Sequence, residues 1–374
     1  MNFADLPTPA VLVDKPRLLA NIEKMQRASA AAGTLLRPHA KTHKSVTIAR
    51  YQIDAGAVGI TVATVGEAEV FADHGIANIR IAYPLPISTA DRIIALLSKT
   101  QLSIVVDNTI VAKHWSDLMV KAKCLLDVLV KVDVGFHRCG ISPRRPDATR
   151  FISEVDNLPG LRLRGLLSHA GQAYDASTYQ DIKNTARQEA QILRALAQDA
   201  RKAGTPIQEI SVGATPTARF SLEENEITEL RPGNYVFLDL TQVALQTAAT
   251  SQCSLTVLST IVSRPSPDRL VLDAGSKTLS SDHARGPNAH RGFGAVLQTD
   301  SGKDINPNLI IERLSEEHAV VSVTGSDHSL TAGQRVRLIP NHACVVTNLA
   351  DYVHLIDGNS LIETIRVDAR GKNY

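Results

Sequence analysis

From about residue 35 to residue 230 the chain alternates short apolar runs with longer segments of helical spacing, and this alternation constrains its fold more than any other feature. The runs lie at 35–39, 59–65, 79–83, 102–106, 125–134, 162–169, 207–212 and 227–230. Each is strand-length, and most are separated by segments of ten or more residues with apolar positions on one helical face. The first such segment, 16–32, has Asp14 as a candidate N-cap, Pro16 in the first turn and Gly33 as a stop. Further helices are expected at 66–75, 88–99, 109–121 and 177–204, whereas 221–226 leaves little room for one. Parallel strands need long crossovers, so strand and helix in strict alternation predict βαβ units. Eight such strands close a (β/α)8 barrel of the TIM type.

After about Gln246 the pattern changes. Runs at 253–262, 269–272, 319–323, 335–339, 352–355 and 361–367 are rich in β formers and separated by Gly, Pro, Asn and Asp. They predict a second, mainly antiparallel β domain. Forty Lys and Arg against thirty-eight Asp and Glu leave a net charge of +2 with no basic block, which argues against a nucleic-acid partner. No apolar run is long enough for a membrane helix, and Met1 to Pro9 lacks the basic-then-apolar pattern of a signal peptide. Four cysteines in 374 residues are no disulfide framework, so a reducing cytoplasm is expected.

The chemistry-bearing residues cluster at the C-terminal ends of the expected strands, where barrel enzymes carry their active sites. The first is Arg37-Pro38-His39-Ala40-Lys41-Thr42-His43-Lys44. Pro38 keeps Arg37 extended, so Lys41 continues the first strand into the barrel mouth. A desolvated amine there is suited to a Schiff base with an aldehyde cofactor, and Lys44 is the weaker candidate because a helix follows it. Two loops after the last two strands, 211–217 and 231–235, occupy the usual phosphate position of barrels. Gly213 and Gly233 allow close backbone approach there, and the hydroxyls of Thr215 and Tyr235 are donors. Arg138 follows the fifth strand as a cation at the mouth. His169 and Tyr174 follow the sixth. In the β domain, His342-Ala343-Cys344 would put an imidazole and a thiol on one face of an extended segment, a donor pair that favours zinc. The loop 280–294 is expected to line the pocket.

Jointly these pieces resemble one family. Leu6-Pro7-Thr8-Pro9-Ala10, the Arg37 to Lys44 segment, the 211–217 loop, Arg231-Pro232-Gly233, Asp273-Ala274-Gly275 and Pro340-Asn341-His342-Ala343-Cys344 occur in the order of the fold-type III pyridoxal-phosphate enzymes, specifically the D-threonine aldolase and D-serine dehydratase family. The resemblance implies an alanine racemase-like barrel over 14–245 and a β domain made of 1–13 with 246–374. It also implies a homodimer with a shared active site. Carried over by position, Lys41 matches the lysine that holds pyridoxal 5'-phosphate. Arg138 matches the arginine facing the pyridine nitrogen, and Tyr174 lies beside the cofactor. Thr215, Gly233 and Asn234 match phosphate contacts, and His342 with Cys344 the metal pair. Aldolases of the family carry His-x-Asp, whereas His342-Ala343-Cys344 resembles the dehydratases; a thiolate selects zinc, where a carboxylate favours manganese or magnesium. Ala214 stands where several relatives have serine.

The activity this implies is a pyridoxal-phosphate- and zinc-dependent dehydratase of β-hydroxy D-amino acids, such as D-serine or D-threo-3-hydroxyaspartate, giving a keto acid and ammonia. Lys41 would take the α-proton. The alternative is a D-threonine aldolase with His169 as base, releasing glycine and an aldehyde. A racemase ranks third, and a non-catalytic pyridoxal-phosphate-binding protein is the reading from another class.

Overall fold

The computed structural model describes residues 2–298, 304–324 and 329–374. Strand β1 (Ala10–Asp14) leads directly into the helix Lys15–Ala31. Asp14 Oδ1 accepts from the Arg17 amide at 3.0 Å and Pro16 sits in the first turn, as the sequence leads one to expect. Eight parallel strands follow in a single sheet: β2 (Leu35–Leu36), β3 (Ile60–Val62), β4 (Asn78–Pro84), β5 (Gln101–Val106), β6 (Leu126–Lys131), β7 (Leu161–Leu167), β8 (Glu209–Val212) and β9 (Glu229–Leu230). Their order is β2-β9-β8-β7-β6-β5-β4-β3. A parallel bridge between His39 and Thr61 joins the two ends, with the Thr61 amide donating to the Pro38 carbonyl at 2.8 Å. Each of the eight expected runs contributes one strand. The first is shorter than expected, because Pro38 has no amide to donate and the chain turns at Ala40–Thr42. Between β8 and β9 only the single turn Ala218–Ser221 fits.

Side chains alternate across the barrel wall. Along β6, Val128 and Val130 pack outward beneath the helices, whereas Leu129 meets Val105, Leu167 and Ala82 inside. Asp127 and Lys131 flank Leu129 on that inner face, one at each end of the strand. The barrel is therefore plugged by a small apolar cluster with charged groups below and above it.

Strands β10 (Leu255–Ser266), β11 (Arg269–Leu272), β12 (Ala295–Leu297), β13 (Ile305–Leu314), β14 (Ala319–Val323) and β15 (Arg335–Ile339) pair antiparallel in a ring that returns from β15 and from β11 to β10. The hairpin β16 (Tyr352–Asp357) and β17 (Ser360–Arg366) extends it through β1, which lies antiparallel to β10 and parallel to β16. Two strands of this ring were not expected: Ala295–Leu297 is only a short run after glycines, and Ile305–Leu314 opens on Asn306-Pro307-Asn308, which read as loop. The C-terminal segment then crosses back to the barrel. Asp368 Oδ2 accepts from the Val46 amide at 2.7 Å, and the Tyr374 carbonyl accepts from the Gly66 amide at 2.8 Å. All four cysteines are free. Among the described residues, no helix is long and apolar enough to cross a membrane.

Candidate active site

A cavity of about 670 Å3 opens at the C-terminal mouth of the barrel, where the β domain covers it. Lys41, Arg138, His169, Tyr174, Thr215, Gly233, Asn234, His342 and Cys344 all line it. The loop expected to contribute does so through Ser281, Asp282, His283 and Arg285.

Lys41 sits in the Ala40–Thr42 turn that follows β2, not in an extension of the strand, and the His39 ring caps its amide. Its side chain opens onto the cavity, and its amine has no hydrogen bond or ion pair among the described residues. Desolvation within the cavity, helped by the like charges of Arg138 and Arg231 and opposed by Cys344, pushes its pKa below the usual lysine value. Lys44 is a structural residue instead. Its Nζ lies 3.3 Å from Glu67 Oε1 and donates to Asn348 Oδ1 at 2.8 Å and Asn373 Oδ1 at 2.6 Å.

His169 donates from Nδ1 to the Gly213 carbonyl at 2.5 Å, which leaves Nε2 as an acceptor. Burial, then the charges of Lys41 and Lys131, drive its pKa well below the ordinary histidine value, so the ring is neutral. Among the described residues, Thr215 Oγ1 and Asn234 Oδ1 are buried with no hydrogen-bond partner. Such orphaned groups require a polar occupant. Beside them, a Cβ on Gly213 would lie 2.9 Å from the Arg231 carbonyl oxygen, and one on Gly233 2.7 Å from Thr42 Oγ1.

One expected cofactor contact is not brought to the cavity. Tyr235 does not reach the cavity: its hydroxyl accepts from Gln52 Nε2 at 2.9 Å and its ring belongs to the core of the β domain. Consecutive residues of the 3-10 turn Asn234–Val236 point in different directions, and Asn234 takes the cavity side. Arg138 stands at the mouth, where it lines the cavity from its exposed rim with its guanidinium over the Phe136 ring at 5.1 Å. The buried cation at the cavity is Arg231, 5% exposed. A second residue the sequence reading passed over is Lys131, 3% exposed, whose pKa burial and Arg231 bring down to about 7. Strand alternation could have flagged both, since Arg231 is two residues beyond Glu229 and Lys131 ends the inner face of β6.

His342 and Cys344 meet, though not on a strand. His342 is extended (φ −143°, ψ 97°) and caps the helix Ala343–Leu349, so Cys344 lies in that helix's first turn. His342 Nδ1 pairs with Asp282 Oδ2 at 2.7 Å, which turns Nε2 toward Cys344. Burial opposes charge on the thiol, but the neighbouring imidazole and the Thr42 hydroxyl bring its pKa down. Among the described residues no third His, Cys, Asp or Glu completes a metal-ligand set. Asp239 joins the two halves of the site: its Oδ2 accepts from Asn234 Nδ2 at 2.6 Å and from the Ala343 amide at 2.9 Å.

Comparison with known proteins follows the same division. The alanine racemase N-terminal domain family matches residues 13–241, and the serine dehydratase domain family matches 254–356. A D-threonine aldolase from Arthrobacter is 32% identical over 99% of this chain and 94% of its own. A D-threo-3-hydroxyaspartate dehydratase from Delftia is 31% identical over 91% of each. The solved structure of that dehydratase superposes with a TM-score of 0.91 at 29% identity, over 98% of both chains. A variant of D-threo-3-hydroxyaspartate dehydratase has been solved in a metal-free form, with a TM-score of 0.92 at 28% identity over 98% of both chains.

Proposed function

Since the chain belongs to the D-threonine aldolase and D-serine dehydratase family and is a lyase of that kind, we propose that it dehydrates β-hydroxy D-amino acids such as D-serine or D-threo-3-hydroxyaspartate, releasing a keto acid and ammonia. The observation that carries the reading is the placement of His342 and Cys344 on the cavity that holds the unpartnered amine of Lys41.

The residues present fit pyridoxal 5'-phosphate and a zinc ion. Lys41 would hold the cofactor aldehyde. Thr215 Oγ1, Asn234 and the glycine-lined backbone at Gly213 and Gly233 would hold its phosphate, because these are the orphaned and Cβ-free positions. With a methyl at Ala214, the phosphate contact there falls to the backbone. Arg231 supplies the buried positive charge, and Tyr174 and rim Arg138 stand beside the opening. His342 and Cys344 would hold zinc, with Asp282 orienting the imidazole from behind. A thiolate in the pair favours zinc over manganese or magnesium. Bound pyridoxal phosphate supplies an electron sink at the α-carbon, and zinc a Lewis acid at the β-hydroxyl.

The chain's own residues do the proton work. Lys41, once its amine is free, takes the α-proton, and its depressed pKa is what a base near neutral pH requires. His342 and Cys344 would hold the metal beside the cavity, where it would supply Lewis acidity to the β-hydroxyl. D-Threonine aldolase chemistry is the second reading. The neutral ring of His169, with Nε2 free, is suited to remove the β-hydroxyl proton before the Cα–Cβ bond breaks. A non-catalytic pyridoxal-phosphate carrier would have no use for the imidazole and thiol pair.

The accompanying division assigns 14–245 to cofactor binding and 1–13 with 246–374 to the metal-bearing β domain. A homodimer completes the site on this reading, since the lining residues Ser281, Asp282, His283 and Arg285 are exposed. A cytoplasmic setting suits four free cysteines. The test is a product assay on D-serine and D-threonine. Keto acid and ammonia, lost on chelation and regained with zinc, are the expected outcome. Glycine plus aldehyde would instead establish the aldolase, and full dehydration by demonstrably metal-free protein would remove the metal's role.

A further inference from the structure

Beneath the cavity the inner face of the barrel carries a chain of hydrogen bonds that ends on Arg231. Glu229, buried at 2% exposure, accepts from Arg37 Nε at 2.7 Å and from Arg80 Nη1. Ser211 Oγ donates to Glu229 Oε1 at 2.5 Å and accepts from Arg231 Nη1 at 2.5 Å. The Arg231 Nη2 donates to the Ser168 carbonyl at 2.5 Å, and its Nε, also buried, has no partner among the described residues. A hydroxyl has one proton, and an ionised carboxylate only accepts. Ser211 must therefore donate downward to Glu229 and turn its lone pairs up to the guanidinium. Arg80 and Arg37 overcome the burial of Glu229 and hold it ionised, so this polarity does not reverse near neutral pH.

We propose that Ser211 and Glu229 are positioning residues that hold the Arg231 guanidinium in one orientation, as the fixed positive charge of the cofactor pocket. The inference rests on the pyridoxal-phosphate reading above. Without Ser211, one of the two hydrogen bonds that fix Arg231 is gone, and the guanidinium is free to swing about the remaining contact to Ser168. Ordinary barrel packing would need only volume at residue 211. The relay needs a hydroxyl between a carboxylate and a guanidinium.

The test uses the full chain reconstituted with pyridoxal 5'-phosphate, reading its dissociation constant, its absorption maximum and Tm for wild type, Ser211→Ala, Ser211→Thr, Arg231→Lys and the double variant Ser211→Ala/Arg231→Lys. Loss of one charge-assisted hydrogen bond weakens binding by about tenfold. Ser211→Ala is expected to show that loss together with a displaced absorption maximum, and Ser211→Thr to restore both. In the Arg231→Lys background, Ser211→Ala is expected to change affinity by less than about twofold, because coupled residues are non-additive. Glu229→Gln, which keeps an acceptor but removes the charge, is expected to displace the maximum with Ser211 intact. A Ser211→Ala protein with lowered Tm but wild-type affinity and spectrum would overturn the inference, as would fully additive effects. If Ser211→Ala does not fold, a Glu229→Gln protein with wild-type affinity and spectrum overturns it alone. A wild-type chain that takes up no pyridoxal phosphate would overturn the cofactor reading itself, which is a different result from unshifted variants.

Discussion

Replacing Glu229 by glutamine tests the buried charge layer directly through its pH dependence. The carboxyl is driven down from an ordinary 4.5 to about 2: burial opposes this, and Arg80 and Arg37 outweigh it. At about 1.36 kcal/mol per pKa unit, the difference corresponds to about 3 kcal/mol of folding stability at neutral pH. A second route gives a similar figure, since removing one member of a buried ion pair typically costs about 3–5 kcal/mol. Arg80 keeps Glu209 at 2.7 Å, which places the expectation at the lower end of that range. Because the folded pKa is depressed, the contribution is fully present above about pH 4.5 and is lost as the pH falls toward 2. Urea denaturation of wild type and variant at pH 7, 5, 4 and 3 measures the gap, with equal m-values confirming that both unfold alike. A constant gap should persist to about pH 5 and then narrow steadily. A gap at pH 3 as wide as that at pH 7, or no gap at pH 7, would refute the assignment of Glu229 as a buried anion.

Further outcomes follow from the geometry. Borohydride reduction of the reconstituted protein should label the peptide at Lys41, while Lys44→Ala should fold less stably by about 3 kcal/mol through the stranded Glu67; a label on Lys44 would contradict both. Tyr235→Phe should lower stability by about 1–2 kcal/mol by leaving Gln52 unsatisfied, and cofactor titration should find affinity unchanged. Gly233→Ala should weaken cofactor binding, because its Cβ would stand 2.7 Å from Thr42 Oγ1 and 3.0 Å from the His39 carbonyl on either side of Lys41. By contrast Gly33→Ala, in open space at φ +67°, should cost about 1 kcal/mol and leave binding intact.

The barrel was legible because short apolar runs alternate with segments of helical period along most of 35–230, and burial on both strand faces leaves predominantly apolar runs such as 102–106. The β domain was harder to read. Its strand Ile305–Leu314 begins on residues that normally break strands, and β1 joins it from the far end of the chain. Lys41, His169, Thr215 and Asn234 come to one cavity because motifs at strand ends converge at the mouth of a closed barrel, whereas the His342–Cys344 pair reaches it from the β domain above. The ranking of the arginines was not legible, since rim and floor differ by depth along a strand and loops hide that depth. Arg138 lies in a loop after β6, whereas Arg231 follows β9 and continues the inner face begun by Glu229. Register counted from the strand, rather than proximity to a motif, separates them.

The proposed cofactor and metal halves of the site are mechanically one unit. Thr42, next to Lys41, accepts at its carbonyl a hydrogen bond from Thr347 Oγ1 at 2.6 Å, and its hydroxyl lies 3.3 Å from Cys344 Sγ. Asp239 makes the matching connection on the other side, gripping both Asn234 and the Ala343 amide. The helix Ala343–Leu349 therefore cannot shift without moving the turn that carries Lys41, or without straining the loop expected to hold phosphate. Effective chemistry requires reacting groups fixed to a fraction of an ångström. These two bridges impose that constraint across the boundary between domains. Substitutions in the helix, even at positions that touch no substrate, should consequently alter cofactor affinity and metal affinity together. A Thr347→Val variant that changed neither would show the two halves to be independent.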